Sequence, residues 1–178
     1  MPKGDVLAVA RVAGIAAAKK VPDLLPLAHT IGVHGCAVDL ELKDDHVFIE
    51  ATVRTADRTG VEMEALTAVT VAALAVLSVV RAAHIARSAA DLSALAGAIE
   101  YQASLDASAA CAESDRLAQR HDVRLLDCRV TGDGDVTVTV AARIPLRLGG
   151  VGPEQAEGRA RAGPQPDQTA VGGLLDGP

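Results

Sequence analysis

Residues 58–81, RTGVEMEALTAVTVAALAVLSVVR, decide the fold, because they mark the start of a long helix. Thr59 and Glu62 have the spacing of a capping box, in which the two side chains accept hydrogen bonds from backbone N–H groups at a helix start. An uninterrupted apolar run follows. The sequence therefore predicts a helix that starts near Gly60 and continues past Val80. Apolar residues occur on nearly all its sides, which predicts burial on most sides.

The residues before this helix predict a second helix and a β-hairpin. Residues 5–20 are alanine-rich, and Asp5 is placed to cap the first turn of a helix. Residues 35–43 and 46–55 alternate between apolar and polar side chains, with two aspartates at the turn between them. The predicted fold class is therefore α+β, with an antiparallel hairpin packed with helices.

The second half of the chain repeats the order of helix and hairpin in a different sequence. An alanine-rich helical stretch is predicted over residues 88–122, and a strand pair over residues 123–130 and 136–144. After Gly149 the sequence loses all periodicity, which predicts a disordered tail. The predicted domains are residues 1–87, residues 88–149 and a tail over residues 150–178.

Composition limits the classes of function. Hydrophobic residues make up 49% of the chain but aromatic residues only 1%, so the core must consist of Ala, Val, Leu and Ile. Such a core favours oligomerisation or very tight helix packing. The net charge of −6 argues against nucleic-acid binding. Cys36, Cys111 and Cys128 are odd in number and widely spaced, which favours free thiols and predicts neither a disulfide framework nor a metal site such as a zinc site.

The possibility of a membrane helix depends on residues 65–80. This run is uncharged but shorter than the about 20 residues that a spanning helix needs. The polar start of the chain also lacks the features of a signal peptide. A buried helix in a cytoplasmic protein is the favoured interpretation, and a membrane-anchored protein is the alternative.

Three blocks in fixed order carry a resemblance to a known family. They are KGDVLAVARVAG (3–14) with AAKK (17–20), DLLPLAH (23–29), and TVRT (52–55) with RTGVEMEALTA (58–68). Residues 2–80 thereby resemble the cyclic pyranopterin monophosphate synthase family of molybdenum-cofactor biosynthesis. The resemblance implies a ferredoxin-like subunit in a homo-oligomer, a dimer or a trimer of dimers, with the active site shared between subunits. It implies conversion of 3′,8-cyclo-7,8-dihydro-GTP into cyclic pyranopterin monophosphate with release of pyrophosphate, without a cofactor.

The same resemblance implies a set of site residues. Glu62 also has a structural interpretation as the third residue of the capping box, and the paired lysines have one as partners of a helix end. By resemblance, the catalytic residues are Lys3, His29, Glu62, Glu64 and Arg81, and the phosphate contacts are Arg11, Lys19 and Lys20.

One pair of positions departs from the family pattern. Where the family has Asp-x-x-Lys, this chain has Ser78 and Arg81. A serine is no carboxylate base, and an arginine, with a pKa above about 12, does not exchange a proton near neutral pH as a tuned lysine does. This departure predicts substrate binding with impaired turnover.

A second resemblance concerns the other half of the chain. Residues 75–98, AVLSVVRAAHIARSAADLSALAGA, together with Cys111, Cys128 and residues 159–164, resemble TadE-like pilus-associated secretion proteins. That resemblance implies a membrane helix, an exported C-terminal half and a possible disulfide between Cys111 and Cys128. The two resemblances meet between residues 67 and 81. The alternative function is therefore a membrane-associated secretion protein with a passenger N-terminal half.

Overall fold

A computed structural model describes residues 5–146 and 153–164. The described residues form an α+β fold in which antiparallel strand hairpins pack against helices, as the sequence predicts. Its helices are α1 (Val6–Ala18), α2 (Val21–Leu24), α3 (Glu62–Ser104) and α4 (Ala107–Arg120), and its strands are β1 (Val33–Leu42), β2 (Val47–Thr55), β3 (Val123–Val130), β4 (Val136–Arg143) and β5 (Gln155–Ala162).

The chain divides into two compact units. Unit 1 comprises Met1–Ala82 and Arg143–Ala156, and unit 2 comprises Ala83–Ala142 and Glu157–Pro178. Helix α3 contributes its first part to unit 1 and the remainder to unit 2.

The first helix of unit 1 has the predicted cap. Oδ1 of Asp5 accepts hydrogen bonds from the backbone N–H groups of Leu7 and Ala8, at 2.9 and 3.3 Å. These bonds satisfy two of the backbone donors that a helix start leaves unpaired. The short helix α2 was not predicted, and it has Pro22 in its first turn, where a missing N–H costs nothing.

The hairpin of unit 1 follows the predicted alternation. Val38 of β1 lies opposite Ala51 of β2, and Leu40 lies opposite Ile49. All four side chains belong to or pack against the core of unit 1. The intervening residues of β2 are exposed, so the hairpin has one apolar and one polar face.

Small side chains allow α1 to lie very close to α3. A Cβ atom on Gly14 would come within 2.7 Å of the carbonyl oxygen of Ala68 and 3.3 Å of Ala72 Cβ. The core around this contact consists mainly of alanine, as the shortage of aromatic residues predicts. Its buried members are Ala10, Ala13, Ala18, Val38, Ala68, Ala72, Ala75 and Val76.

Helix α3 begins at Glu62 and continues past Val80 as predicted, but the prediction that it is buried on most sides is wrong. Only 28% of the most apolar window of α3 is buried. By length and composition alone, α3 could cross a membrane. Leu66 and Leu77 are 62% and 61% exposed. The reason is the distribution of residue size: alanines occupy much of the buried face, and several of the larger side chains point outward.

In unit 2 the helical stretch predicted over residues 88–122 contains a break. Helix α3 ends at Ser104, Leu105 has a positive φ of 55°, and the Asp106 side chain caps α4 by accepting a hydrogen bond from the N–H of Ser108 at 2.7 Å. An aspartate at a helix start is the signal that would have located this break.

A disulfide joins α4 to β3 in unit 2. It links Cys111 to Cys128, so the prediction of free thiols is wrong for this pair, whereas Cys36 is free. The disulfide that the second resemblance implied is therefore present. The spacing of 17 residues gave no reason to choose this pairing, because two elements that are distant in sequence had to meet first.

The prediction of a disordered tail is wrong for strand β5. Residues 155–162 belong to the tail that was predicted to be disordered, but they form the third strand of the sheet β3–β4–β5. Gly158 of β5 lies directly against the backbone of Ala86, where no Cβ atom would fit. The remaining tail residues lie outside the described part of the chain.

Candidate active site

The two glutamates at the start of α3 lie on different sides of the helix. Residues two positions apart on a helix do not face each other. Accordingly, Glu64 is buried with 3% exposure, whereas Glu62 is exposed. The structure thus assigns different environments to the two predicted catalytic carboxylates.

Glu64 is the unusual residue of the pair. Its Oε2 atom is buried and has no hydrogen-bond partner among the described residues. Burying a carboxylate oxygen without a partner costs a large part of its hydration energy, so proteins rarely keep such a group without a use for it. Glu64 is therefore the buried carboxylate among the residues predicted for the site.

The Glu62 side chain folds back over the start of α3. Its carboxylate lies against Gly60, at the place where a Cβ atom of residue 60 would project. The absence of a Cβ at position 60 makes that conformation possible. The capping box predicted from Thr59 and Glu62 is nevertheless wrong, because Glu62 is the first residue of α3 and the first helical bond runs from the N–H of Ala65 to the carbonyl of Val61.

Hydrogen bonds connect the loop after His29 to the segment that leads into α3. The backbone N–H of Gly32 donates to Asp57 Oδ2 at 2.8 Å, and Thr55 Oγ1 donates to the Gly32 carbonyl at 2.9 Å. The His34 ring joins this network, with Nδ1 at 2.9 Å from the Gly32 carbonyl and 3.3 Å from the backbone nitrogen of Ala56. His29 itself is exposed in the loop.

Sequence reasoning missed this network. The polar residues at the open end of the hairpin, His34 and Asp57 among them, were its only sequence signal. Its effect is to hold the loop that carries His29 beside the segment that precedes Glu62.

The predicted phosphate contacts lie on and after α1. Arg11 donates its Nε–H to the carbonyl of Val38 at 2.8 Å, which fixes its side chain along strand β1. Lys19 and Lys20 are exposed. Burial raises the pKa of the Cys36 thiol, and the charge of Lys19 acts in the opposite direction. Lys3 lies outside the described residues.

The two departures from the family pattern have different surroundings. Ser78 donates its hydroxyl to the carbonyl of Ala75 at 2.8 Å, so the side chain is bound to its own helix. Arg81 is exposed. Among the described residues, no hydrogen bond or ion pair joins any two of His29, Glu62, Glu64 and Arg81. Their convergence on one pocket stays a prediction.

Residues 5–146 and 153–164 contain no group of three His, Cys, Asp or Glu side chains that could hold a metal ion. The side chains predicted for the site are acidic, basic and cationic, and such groups are suited to proton transfer and to binding an anionic ligand.

Comparison with known proteins gives matches that cover about half of the chain. The model of the MoaC family matches residues 1–95. The cyclic pyranopterin monophosphate synthase of Streptomyces coelicolor is 63% identical over 82 residues, which are 46% of this chain and 48% of that protein.

Two further relatives give similar values. The synthase of Nocardioides sp. is 58% identical over 95 residues, 52% of this chain and 58% of that protein. The cyclic pyranopterin monophosphate synthase 2 of Mycobacterium bovis is 56% identical over 82 residues, 46% of this chain and 49% of that protein. The chain spans about half the length of the curated relatives it matches. Because the family model covers more than half of the chain, this protein belongs to the MoaC family.

Proposed function

We propose that unit 1 binds the cyclised GTP derivative 3′,8-cyclo-7,8-dihydro-GTP and carries out, at a reduced rate, its conversion to cyclic pyranopterin monophosphate with release of pyrophosphate. The observation that carries this proposal is Glu64, a buried carboxylate with one oxygen unpartnered among the described residues. Relatives of the matched half are named for this reaction.

The proposed roles follow from the surroundings of each residue. Glu64 accepts a hydrogen bond from the purine-derived ring and exchanges protons with it, because it is the group sheltered from water. Exposed Lys19 and Lys20 bind the triphosphate. His29 and Lys3 act as further acid–base groups by resemblance, and Glu62 positions the start of α3.

The reduced rate follows from Ser78 and Arg81. Arg81 keeps the positive charge that attracts a triphosphate, so binding is retained. Ser78 has no carboxylate, and its hydroxyl is bound to Ala75. The proton-transfer step therefore loses a positioned group, which typically costs about 10²- to 10⁴-fold in rate.

We propose further that the protein is cytoplasmic and acts as a homo-oligomer. The large apolar side chains that α3 exposes in unit 1, such as Leu66 and Leu77, support an association that covers them.

The experiment is to measure ligand binding by calorimetry and product formation by chromatography on the purified chain. Binding of the cyclised GTP derivative with slow product formation is the expected result. A chain that neither binds nor converts this compound, while its circular dichroism shows a folded protein, contradicts the proposal.

Two observations favour a second candidate function, a TadE-like secretion protein anchored by α3. The disulfide between Cys111 and Cys128 is typical of proteins that mature in an oxidising compartment, and α3 is long and apolar enough to cross a membrane. Against it, the first part of α3 forms the core of unit 1 with the hairpin.

Cell fractionation distinguishes the two candidates. The first function predicts recovery with soluble proteins. The second predicts a membrane fraction that resists carbonate extraction.

A further inference from the structure

Both backbone polar groups of Gly32 are bound by side chains at and just after the end of β2. The N–H of Gly32 donates to Asp57 Oδ2 at 2.8 Å, and its carbonyl accepts from Thr55 Oγ1 at 2.9 Å. The backbone N–H of Asp57 donates to the same Thr55 oxygen at 3.0 Å. These three bonds close a ring through residues 32, 55 and 57, which we call the Gly32 clamp.

The Gly32 clamp begins where the pairing of β1 with β2 ends. Val33 opposite Thr55 is the last pair, and the register shifts between Val33 and Gly35. A backbone group beyond the last pair of a ladder needs another hydrogen-bond partner. The side chains of Thr55 and Asp57 supply these partners for Gly32. Space at this position is small, since a Cβ atom on Gly32 would lie 3.3 Å from Asp57 Oδ2.

The clamp also shortens the free length of the loop that carries His29. Before this histidine, the N–H of Ala28 donates to the carbonyl of Leu25 at 3.2 Å. After it, the clamp holds Gly32. Only residues 29–31 lie between these two held positions. A segment of three residues with both ends held has few conformations open to it, so the clamp restricts where the backbone of His29 can lie.

The clamp joins two segments that carry predicted acid–base groups. Gly32 lies three residues after His29, whereas Asp57 lies five residues before Glu62 and seven before Glu64. A carboxylate that accepts from a backbone N–H forms a stronger bond than a neutral acceptor does. The bond between Gly32 and Asp57 therefore ties the histidine loop to the segment that leads into α3.

We propose that Thr55 and Asp57 are positioning residues of the proposed reaction, which hold Gly32 and thereby set the place of His29 relative to the start of α3. Their effect on the rate rests on the proposed function, whereas the clamp itself is measured without substrate. A misplacement of about 1 Å in a reacting group costs about 10²-fold in rate. The lysines proposed to bind the triphosphate take no part in the clamp. Loss of the clamp therefore slows proton transfer and leaves the affinity for substrate unchanged.

The first test measures the clamp without substrate. Asp57→Ala removes the acceptor of the Gly32 N–H, and exchange of this amide hydrogen, followed by NMR, is expected to become about tenfold faster. The control is Asp45→Ala, which removes an exposed carboxylate from the turn at the opposite end of the hairpin. The control is expected to leave the exchange of the Gly32 amide unchanged.

The second test separates rate from affinity. Thr55→Val removes the hydroxyl at nearly constant shape, whereas Thr55→Ser keeps it. Single-turnover product formation by the valine variant is expected to fall about 10- to 10²-fold, while calorimetry finds its affinity for 3′,8-cyclo-7,8-dihydro-GTP within about twofold of the unmodified chain. The serine variant is expected to keep the rate of the unmodified chain, because its hydroxyl can still donate to the Gly32 carbonyl.

Four results would overturn the proposal. They are unchanged exchange of the Gly32 amide in Asp57→Ala, an unchanged rate in Thr55→Val, a loss of rate that Thr55→Ser shares, and a loss of affinity as large as the loss of rate. An unmodified chain that forms no product overturns the proposed function and the positioning role together. The exchange of the Gly32 amide then still shows whether the clamp exists, so the two failures are distinguishable.

Discussion

In unit 1 the contact between α1 and α3 depends on the missing side chain of Gly14, whereas in unit 2 the contact between α3 and α4 includes a buried hydroxyl. The hydroxyl of Ser114 donates to the carbonyl of Ser93 at 2.9 Å. The disulfide between Cys111 and Cys128 also links α4 to β3. Unit 1 leaves a buried carboxylate oxygen without a partner among the described residues, and unit 2 leaves only the hydroxyl of Ser93.

The two units thus differ in the kind of buried group that lacks a partner among the described residues. An unpartnered carboxylate costs more than an unpartnered hydroxyl, because a charge loses more hydration on burial. Such a cost is tolerated where a ligand supplies the missing donor. The comparison supports the proposal that unit 1 binds a ligand, whereas a disulfide cross-links unit 2.

The largest expected effect concerns catalysis in unit 1. Changing Ser78→Asp together with Arg81→Lys restores a carboxylate and a titratable amine, and product formation is expected to rise by about 10²-fold or more. Chromatographic product assays measure it.

The control for this variant lies in unit 2 on the same helix. Ser88→Asp with Arg87→Lys makes the same changes at two exposed positions and is expected to leave the rate unchanged. Equal rates in all three proteins would contradict the assignment of chemistry to unit 1.

The next effect concerns the stability of unit 2. Replacing Cys111 and Cys128 by serine removes a cross-link between residues 17 positions apart, and a loss of about 3 kcal/mol in the free energy of unfolding is expected. Urea titration followed by circular dichroism measures it. Cys36→Ser is the control, and a double variant no less stable than this control would show that the disulfide does not stabilise the unit.

A smaller effect tests the close helix contact of unit 1. Gly14→Ala forces the new methyl group against the carbonyl of Ala68, and the free energy of unfolding is expected to fall by about 1–3 kcal/mol. Gly132→Ala in unit 2 is the matched control, because no atom lies within 4 Å of its Cβ position. If thermal melts show no difference between these variants, α1 does not approach α3 as described.

The parts of this fold that were predicted are those with a local cause. Asp5 caps α1, and alternation places Val38 and Ile49 on one face of the hairpin. The unpredicted parts depend on distant contacts. Strand β5 has few apolar residues to mark it, and it forms beside β4 while Gly158 fits against Ala86.

The site divides in the same way. Its residue types followed from the family resemblance, but spacing alone could not show that Glu64 is buried and Glu62 exposed. That outcome depends on which face of α3 packs against α1 and the hairpin. Equally, Ser78 was recognised as a departure, whereas its hydrogen bond to Ala75 required the helix itself.

The smallest expected effect compares the cysteines of the two units. Burial keeps the pKa of Cys36 above its ordinary value, while Lys19 acts against this. Lys19→Ala is therefore expected to raise the pKa further and to slow alkylation of Cys36 at pH 8 by less than about tenfold. Mass spectrometry should find Cys36 alkylated and Cys111 and Cys128 protected. Faster alkylation in the variant would contradict the position of Lys19.

The measurement closest to the central claim is the affinity of the purified chain for the cyclised GTP derivative, compared by calorimetry with its Glu64→Gln and Glu50→Gln variants. Glu50 lies on the exposed face of β2, so its variant controls for the loss of one negative charge. The account predicts that the unmodified chain and Glu50→Gln bind alike and that Glu64→Gln binds at least about tenfold more weakly, since a buried acceptor is changed. Equal binding by all three proteins would contradict the claim that unit 1 uses Glu64 to hold its ligand.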